Sequence, residues 1–197
     1  NSWKIKQHRD QFFKKSKTLG YRSRASFKLI ELNEKFRFLK TNTNLLDLGS
    51  SPGSWAQVAS KIVTNGKILS IDIKNMSPIK NVNFYKSDIF QKITKNKIED
   101  FFKGKLEVII SDMAADTTGN KSLDSIRTNQ LCLEILNLSP KLLVSHGVFV
   151  SKVFMGDDFE EIKKIAKILF KEVKFFKPTS SRNESKETYI HLSLIHI

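Results

Sequence analysis

At 197 residues, 40% hydrophobic and 27% charged, the chain is long enough to bury a core of its own, and it has no run near the ~18 consecutive apolar residues of a membrane span. Its single cysteine, Cys132, excludes an intrachain disulfide framework and a cysteine-rich zinc site; the four histidines are scattered without ligand spacing, so no metal centre is expected. The net charge of +14 points to a polyanionic partner, because each phosphate neutralised releases condensed counterions.

The charge is unevenly placed. Residues 1–40 carry twelve Lys/Arg against three acids, Asp10, Glu31 and Glu34, so nine of the fourteen excess charges sit there. Trp3, Phe12 and Phe13 are interleaved with these cations, a pattern suited to stacking on unpaired bases; a merely solvated lysine-rich surface is the alternative. From Ser23 to about Leu39, the positions Leu29, Leu32, Phe36 and Leu39 recur at spacings of three and four and predict a helix, with Lys28 beside the apolar stripe. The polar run 41–44 then breaks it. No secretory signal is read in the polar, basic opening.

Leu45, Leu46 and Leu48 form a short strand that contains Asp47. The turn Gly49-Ser50-Ser51-Pro52-Gly53 follows, and Trp55, Val58 and Ala59 restart at helical spacing. Strand, tight glycine loop and helix N-terminus together make a cradle for a nucleotide-like ligand, or an ordinary strand-to-helix turn. Two glycines are not the three of the dinucleotide fingerprint, and no Lys-Ser/Thr follows as in a P-loop. Asp47, inside the strand, reads as a structural acid bonding nearby loop amides.

Further strands are expected at Lys67–Asp72, at Val82–Tyr85 leading to Asp88, and at Leu106–Asp112. A connecting helix at 91–103 precedes the last of these, and a loop from Met113 to Asn120 follows it. A long helix over Leu123–Leu138 comes next, then a strand at Gly147–Val153 and an amphipathic helix at 157–170. A strand beginning at Val173 ends before Pro178, and a last strand covers Glu187–Leu192. This alternation predicts an α/β fold with a mostly parallel, seven-stranded sheet and helices on both faces.

Ligands of such sheets sit beyond the carboxyl ends of the strands, where Gly49, Gly53, Asp72, Asp88 and Asp112 fall. One such acid commonly caps the next helix, but three in register are a pocket signal. Asp72 suits a ribose diol, Asp88 an adenine amino group, and the backbone after Gly49 the rest of the ligand. Lys152, within Val-Phe-Val-Ser-Lys-Val-Phe, needs a partner or a function, because an unpaired buried ammonium is costly. Burial or a second cation would make it a general base; a carboxylate would hold it charged; at a strand end it would reach solvent.

The motifs Tyr-Arg-Ser-Arg-Ala-Ser-Phe-Lys-Leu, Asp-Leu-Gly-Ser-Ser-Pro-Gly-Ser-Trp, Ser-Asp-Met-Ala, Val-Ser-Lys-Val-Phe and Ser-Arg-Asn-Glu-Ser-Lys-Glu-Thr-Tyr occur in this order. Over roughly residues 10–192 the chain resembles the FtsJ-type ribosomal RNA 2′-O-methyltransferases. The resemblance implies a Rossmann-like fold that uses S-adenosyl-L-methionine. It also implies a Lys–Asp–Lys–Glu tetrad at Lys28, Asp112, Lys152 and Glu187, with Lys152 as proton acceptor. Cofactor positions fall on Gly53, Trp55, Asp72 and Asp88, with Asp112 facing the same ligand. Lys28 would position the target nucleotide, and Arg22 and Arg24 would contact phosphates.

The expected organisation is one domain: a basic, helical RNA-binding extension over residues 1–40, packed on a methyltransferase domain over 41–197. The expected substrate is a uridine of large-subunit ribosomal RNA, free or in the particle, and the expected state is a monomer. Transfer RNA, an mRNA cap, or silent RNA binding on a Rossmann-like shell are the competing readings; a nicotinamide dehydrogenase lacks its glycine signature. The compartment expected is a reducing one, cytoplasmic or nucleolar, or mitochondrial where an address precedes. Ser50, Ser51 and Ser54 depart from the small apolar residues usual at those positions, and Asp116 departs in the loop that usually begins Met-Ala-Pro.

Overall fold

The computed structural model describes residues 11–156 and 158–196, so Trp3, the basic residues before Gln11, Asp157 and Ile197 lie outside the described residues. Helix α1 (Gln11–Thr18) and helix α2 (Ala25–Phe36) precede strand β1 (Leu45–Leu48) and helix α3 (Ser54–Ile62). Strands β2 (Ile68–Asp72) and β3 (Asn83–Lys86), helix α4 (Lys92–Phe102) and strand β4 (Leu106–Ser111) follow. Helix α5 (Lys121–Leu142), strand β5 (Leu143–Phe154), helix α6 (Phe159–Leu169), strand β6 (Phe170–Phe176) and strand β7 (Glu187–Ile195) complete the order.

The seven strands form one sheet in the order β3-β2-β1-β4-β5-β7-β6. The first five pair in parallel, as crossovers through helices require, while β7 runs antiparallel between β5 and β6. Strand β1 lies inside the sheet, between β2 and β4, with all four residues buried. Its alternation assigns the two cores. Leu46 and Leu48 join Ile109, Phe149 and Leu192 on the face covered by α4, α5 and α6. Leu45 points the other way, into a cluster with Leu29 and Leu32 of α2 and Trp55 and Val58 of α3.

Helix α2 is therefore a wall of the domain core, with Leu29 and Leu32 wholly buried. It ends at Phe36, three residues before the reach of its apolar spacing. Arg37 adopts a left-handed cap (φ 54°) whose amide donates to the Asn33 carbonyl, and the Leu39 amide turns back to Asn33 Oδ1 at 2.9 Å. Leu39 is buried as expected, but as a post-helical residue.

Strands β5, β6 and β7 are longer than apolar alternation suggests. β6 and β7 extend one another through the pairing of Phe170 with Ile195, a contact between partners that neither segment announces alone. Asp47 also departs from expectation. Its carboxylate accepts from the Ser70 hydroxyl of β2 at 3.1 Å, not from loop amides, and burial pushes its pKa up to about 7.

Candidate active site

The carboxyl edge of the sheet brings together the loop after β1, the ends of β2 and β4, and the start of the antiparallel β7. In the loop, Gly49 and Gly53 have φ of 68° and 107°, left-handed values that favour glycine. A Cβ on Gly49 would lie 2.2 Å from Met113 Cγ; one on Gly53 would lie 2.5 Å from Arg22 Nη1. Close packing thus presses this loop between the residue after Asp112 and the segment before α2.

Asp72 closes β2. One carboxylate oxygen accepts from the Ser51 amide at 2.8 Å and the other from the Lys74 amide at 2.7 Å, so the acid ties the glycine loop to the next strand end. Asp88 accepts from the Phe90 amide at 2.9 Å. Carboxylate oxygens have further lone-pair capacity, so both acids remain able to accept from a ligand's hydroxyl or amino donors. In the glycine loop after β1, the Ser50 hydroxyl is buried without a partner. This acceptor-rich set fits an adenosine-like group, and Asp72, Asp88 and the 49–53 backbone are the residues able to hold it. Of the other serines, Ser51 donates to the Asn75 carbonyl and Ser54 pairs with Ser23, so each small polar substitution is absorbed locally.

Lys28, Asp112, Lys152 and Glu187 meet beside this set. Lys152 Nζ lies 2.8 Å from Asp112 Oδ1 and 3.8 Å from Glu187 Oε2, and it donates to the Asp112 carbonyl at 3.1 Å. Lys28 Nζ pairs with Glu187 Oε1 at 2.6 Å. Two lysines and two carboxylates thus alternate in one buried cluster, which lets each charge be compensated.

Burial pushes the Asp112 carboxyl up, but Lys152 first, then Lys28, and hydrogen bonds from Lys152 and Tyr189 bring it below the usual carboxylate range. Burial likewise pulls Lys152 down, and Asp112 with Glu187 outweighs it, holding the ammonium above the usual lysine range. The partners agree: this is an ion pair. The carboxylate reading of Lys152 is the one the geometry selects.

Other predicted residues are placed differently. Trp55 is buried behind the loop, where its indole N–H donates to the Ala25 carbonyl at 2.9 Å and its ring packs 5.6 Å from Tyr189. It joins α3 to the helix carrying Lys28. The Arg22 guanidinium is occupied by the carbonyls of Pro52, Ser77 and Pro78 at 2.7, 2.8 and 3.0 Å, which makes it a brace of the glycine loop. Arg24 donates to the Ser180 carbonyl and lines the cavity described next. Asp116 pairs with Lys74 at 3.2 Å across exposed loops, an arrangement worth about 1 kcal/mol or less.

A cavity of about 1000 Å³ opens from Lys28 and Glu187; the cations Arg24, Lys121, Arg182 and Lys186 and the acids Asp124, Asp158 and Glu184 line it, with Ile126 and Met155 as apolar surface. Neither Asp72 nor Asp88 lines it. Its volume accommodates a nucleotide, its cations suit phosphates, and its apolar wall suits a base.

Three participants escaped the reading of the chain. Tyr189 donates to Asp112 Oδ1 at 2.7 Å, Ser181 donates to Glu187 Oε1 at 2.9 Å, and Glu31 grips the loop that contains Ser181. Period-two spacing from Glu187 points to Tyr189, and helical spacing from Lys28 points to Glu31. No group of residues able to hold a metal occurs among the described residues, and no described helix is long and apolar enough to cross a membrane.

Known proteins are similar to this chain over nearly its whole length. The FtsJ-like methyltransferase family matches residues 21–193. Ribosomal RNA large subunit methyltransferase E of Pelagibacter ubique is 48% identical over 189 residues, covering 96% of this chain and 93% of that protein. The protein of the same name from Rickettsia canadensis is 40% identical over 196 residues, covering 96% and 86%. Among solved structures, one described as a ribosomal RNA methyltransferase from Plasmodium falciparum superposes with a TM-score of 0.79 at 34% identity, covering 89% of this chain and 98% of that one.

Proposed function

This chain belongs to the FtsJ-like methyltransferase family and is an RNA methyltransferase; from that premise we propose that it methylates the ribose 2′-oxygen of a uridine in large-subunit ribosomal RNA, with Lys152 as proton acceptor. The observation carrying this reading is the Lys–Asp–Lys–Glu cluster at the mouth of a nucleotide-sized cavity. When bound, S-adenosyl-L-methionine supplies an electrophilic methyl carbon; Asp72 would hold its ribose, Asp88 its adenine and the 49–53 loop its remainder.

A ribose hydroxyl is a weak acid, so attack through its oxygen needs both orientation and removal of the proton. Lys28, fixed by Glu187, positions the acceptor nucleotide. Lys152 Nζ takes the 2′-hydroxyl proton, while Asp112 and Glu187 keep the amine aimed. Because these carboxylates hold Lys152 as an ammonium, it must first release its own proton. Turnover therefore rises as pH rises toward the lysine range. The basic segment 1–40, Arg24 within it, together with Arg182 and Lys186 supplies cations for the phosphates flanking the target.

The deciding experiment is transfer of a labelled methyl group to mixed cellular RNA, followed by mapping of the product nucleotide. Label in 2′-O-methyluridine of large-subunit ribosomal RNA is the expected result. Label in transfer RNA or a cap would overturn the substrate assignment, and label on a base would overturn the reaction.

A further inference from the structure

We infer that Glu31 is a positioning residue for methyl transfer: by fixing the loop between β6 and β7 to α2, it sets the geometry of the Lys28–Glu187 pair. The inference rests on the proposed role of that pair.

Arg24, Lys28 and Glu31 recur at spacings of four and three, which puts them on one face of α2. All three reach the same partner region. Glu31 Oε2 accepts from the Thr179 amide at 2.6 Å and from its hydroxyl at 2.8 Å, and Oε1 accepts from the Ser180 amide at 2.9 Å. Arg24 donates to the Ser180 carbonyl. The next residue, Ser181, is buried and donates to Glu187 Oε1, the oxygen that also pairs with Lys28. A closed ring results: Glu31 to Thr179 and Ser180, Ser181 to Glu187, Glu187 to Lys28, and back along one turn of α2 to Glu31.

This ring is more than fold maintenance requires. β6 and β7 are already held in register by their own pairing, from Phe170 with Ile195 to Phe176 with Tyr189. What Glu31 adds is placement of Ser181, and Ser181 orients the carboxylate at its shared oxygen. Burial pushes the Glu31 carboxyl up, but hydrogen bonds from Ser180 and Thr179 outweigh it and hold it below the usual carboxylate range, the ionised acceptor the ring uses.

The test is a double-mutant cycle in steady-state methyl transfer, with cofactor affinity measured in parallel by calorimetry. Glu31→Ala is expected to lower kcat about tenfold or more, since a misplacement near 1 Å can cost that much, while KM for RNA and cofactor affinity stay within about threefold. Glu31→Gln keeps one acceptor oxygen but turns an NH2 donor toward the donors at the other, and is expected to recover only part of the loss. Thr179→Val removes one donor only and is expected to cost about twofold, providing a second handle if Glu31→Ala folds poorly. In a Glu187→Gln background, Glu31→Ala is expected to cost less than about threefold, because its effect runs through Glu187. Full additivity of the two substitutions, unchanged kcat in Glu31→Ala, or loss of cofactor affinity in step with kcat would each overturn the inference. Methylation at an atom other than the 2′-oxygen would overturn the proposed reaction yet leave the cycle readable, so the two failures are distinguishable.

Discussion

Along the carboxyl edge of the sheet, the loop around Gly49 and the acids Asp72 and Asp88 keep their shape through nearby backbone. Asp72 and Asp88 each accept from an amide two residues on. Beside them, Lys28, Asp112, Lys152 and Glu187 come from α2, the end of β4, β5 and the start of β7, and are held together mainly by ion pairs between side chains. The first half is held by backbone amides and the Arg22 brace, whereas the charge cluster depends on every element that delivers a charged member. The cofactor half should therefore fail in affinity, and the acceptor half in turnover.

Gly53→Val attacks the first half most severely. The side chain would meet Arg22, Ile79 and Met76 at a backbone φ of 107°, and strain of this kind costs about 1–3 kcal/mol. Cofactor affinity, read by calorimetry, should fall about 10- to 100-fold, with turnover at saturating cofactor much less affected. The second half is separated by pH. Between about pH 6 and 9, transfer should rise by about tenfold per unit, because the neutral form of a lysine held above its usual range grows at that rate, while cofactor affinity stays level. A flat profile would mean that Lys152 acts as a fixed cation. Asp72→Asn should weaken cofactor binding by about tenfold with kcat changed less than about threefold. The smallest effect is expected for Tyr189→Phe. Loss of its hydrogen bond to Asp112 should lower kcat about fivefold and leave affinity unchanged.

This division also explains what the sequence made legible. Local patterns carried the fold. The run Leu45–Leu48, the glycine turn and the restart at Trp55 announce β1, its loop and α3, because each rests on neighbours in the chain. Lys152 was conspicuous for the same reason, a lysine inside an apolar strand. What it pairs with was not legible, since Asp112 and Glu187 arrive through two other strands, and their grouping came from resemblance. The end of α2 at Phe36 depends on the left-handed Arg37, and the extra length of β6 and β7 depends on each other. Arg22 looked like a phosphate ligand because nothing in its neighbourhood reveals the three carbonyls that occupy it. Glu31 looked like an ordinary helical acid; its donors lie across the loop between β6 and β7.

A pH-dependent stability should register further along β7, four residues beyond Glu187 on the same face. His191 is buried against Phe36, stacked at 4.2 Å, with both ring nitrogens unpartnered; burial foremost lowers its pKa to about 4. Its folded value lies below the ordinary 6.5, so the unfolded chain binds the proton first. Stability should be intact above about pH 6.5 and decline as pH falls toward 4, by at most about 3 kcal/mol, as read by denaturant unfolding at each pH. His191→Phe should flatten that decline without changing the pH profile of methyl transfer.

Lys152 is proposed to act on the proton of a ribose 2′-hydroxyl. The most direct test is single-turnover transfer to large-subunit ribosomal RNA by the native protein and by Lys152→Ala, with products digested to nucleosides and bound cofactor measured in the same samples. The account predicts 2′-O-methyluridine from the native protein and about 10³-fold slower formation by the variant, with cofactor bound equally. Undiminished transfer by Lys152→Ala, with the methyl still on the 2′-oxygen, would contradict it.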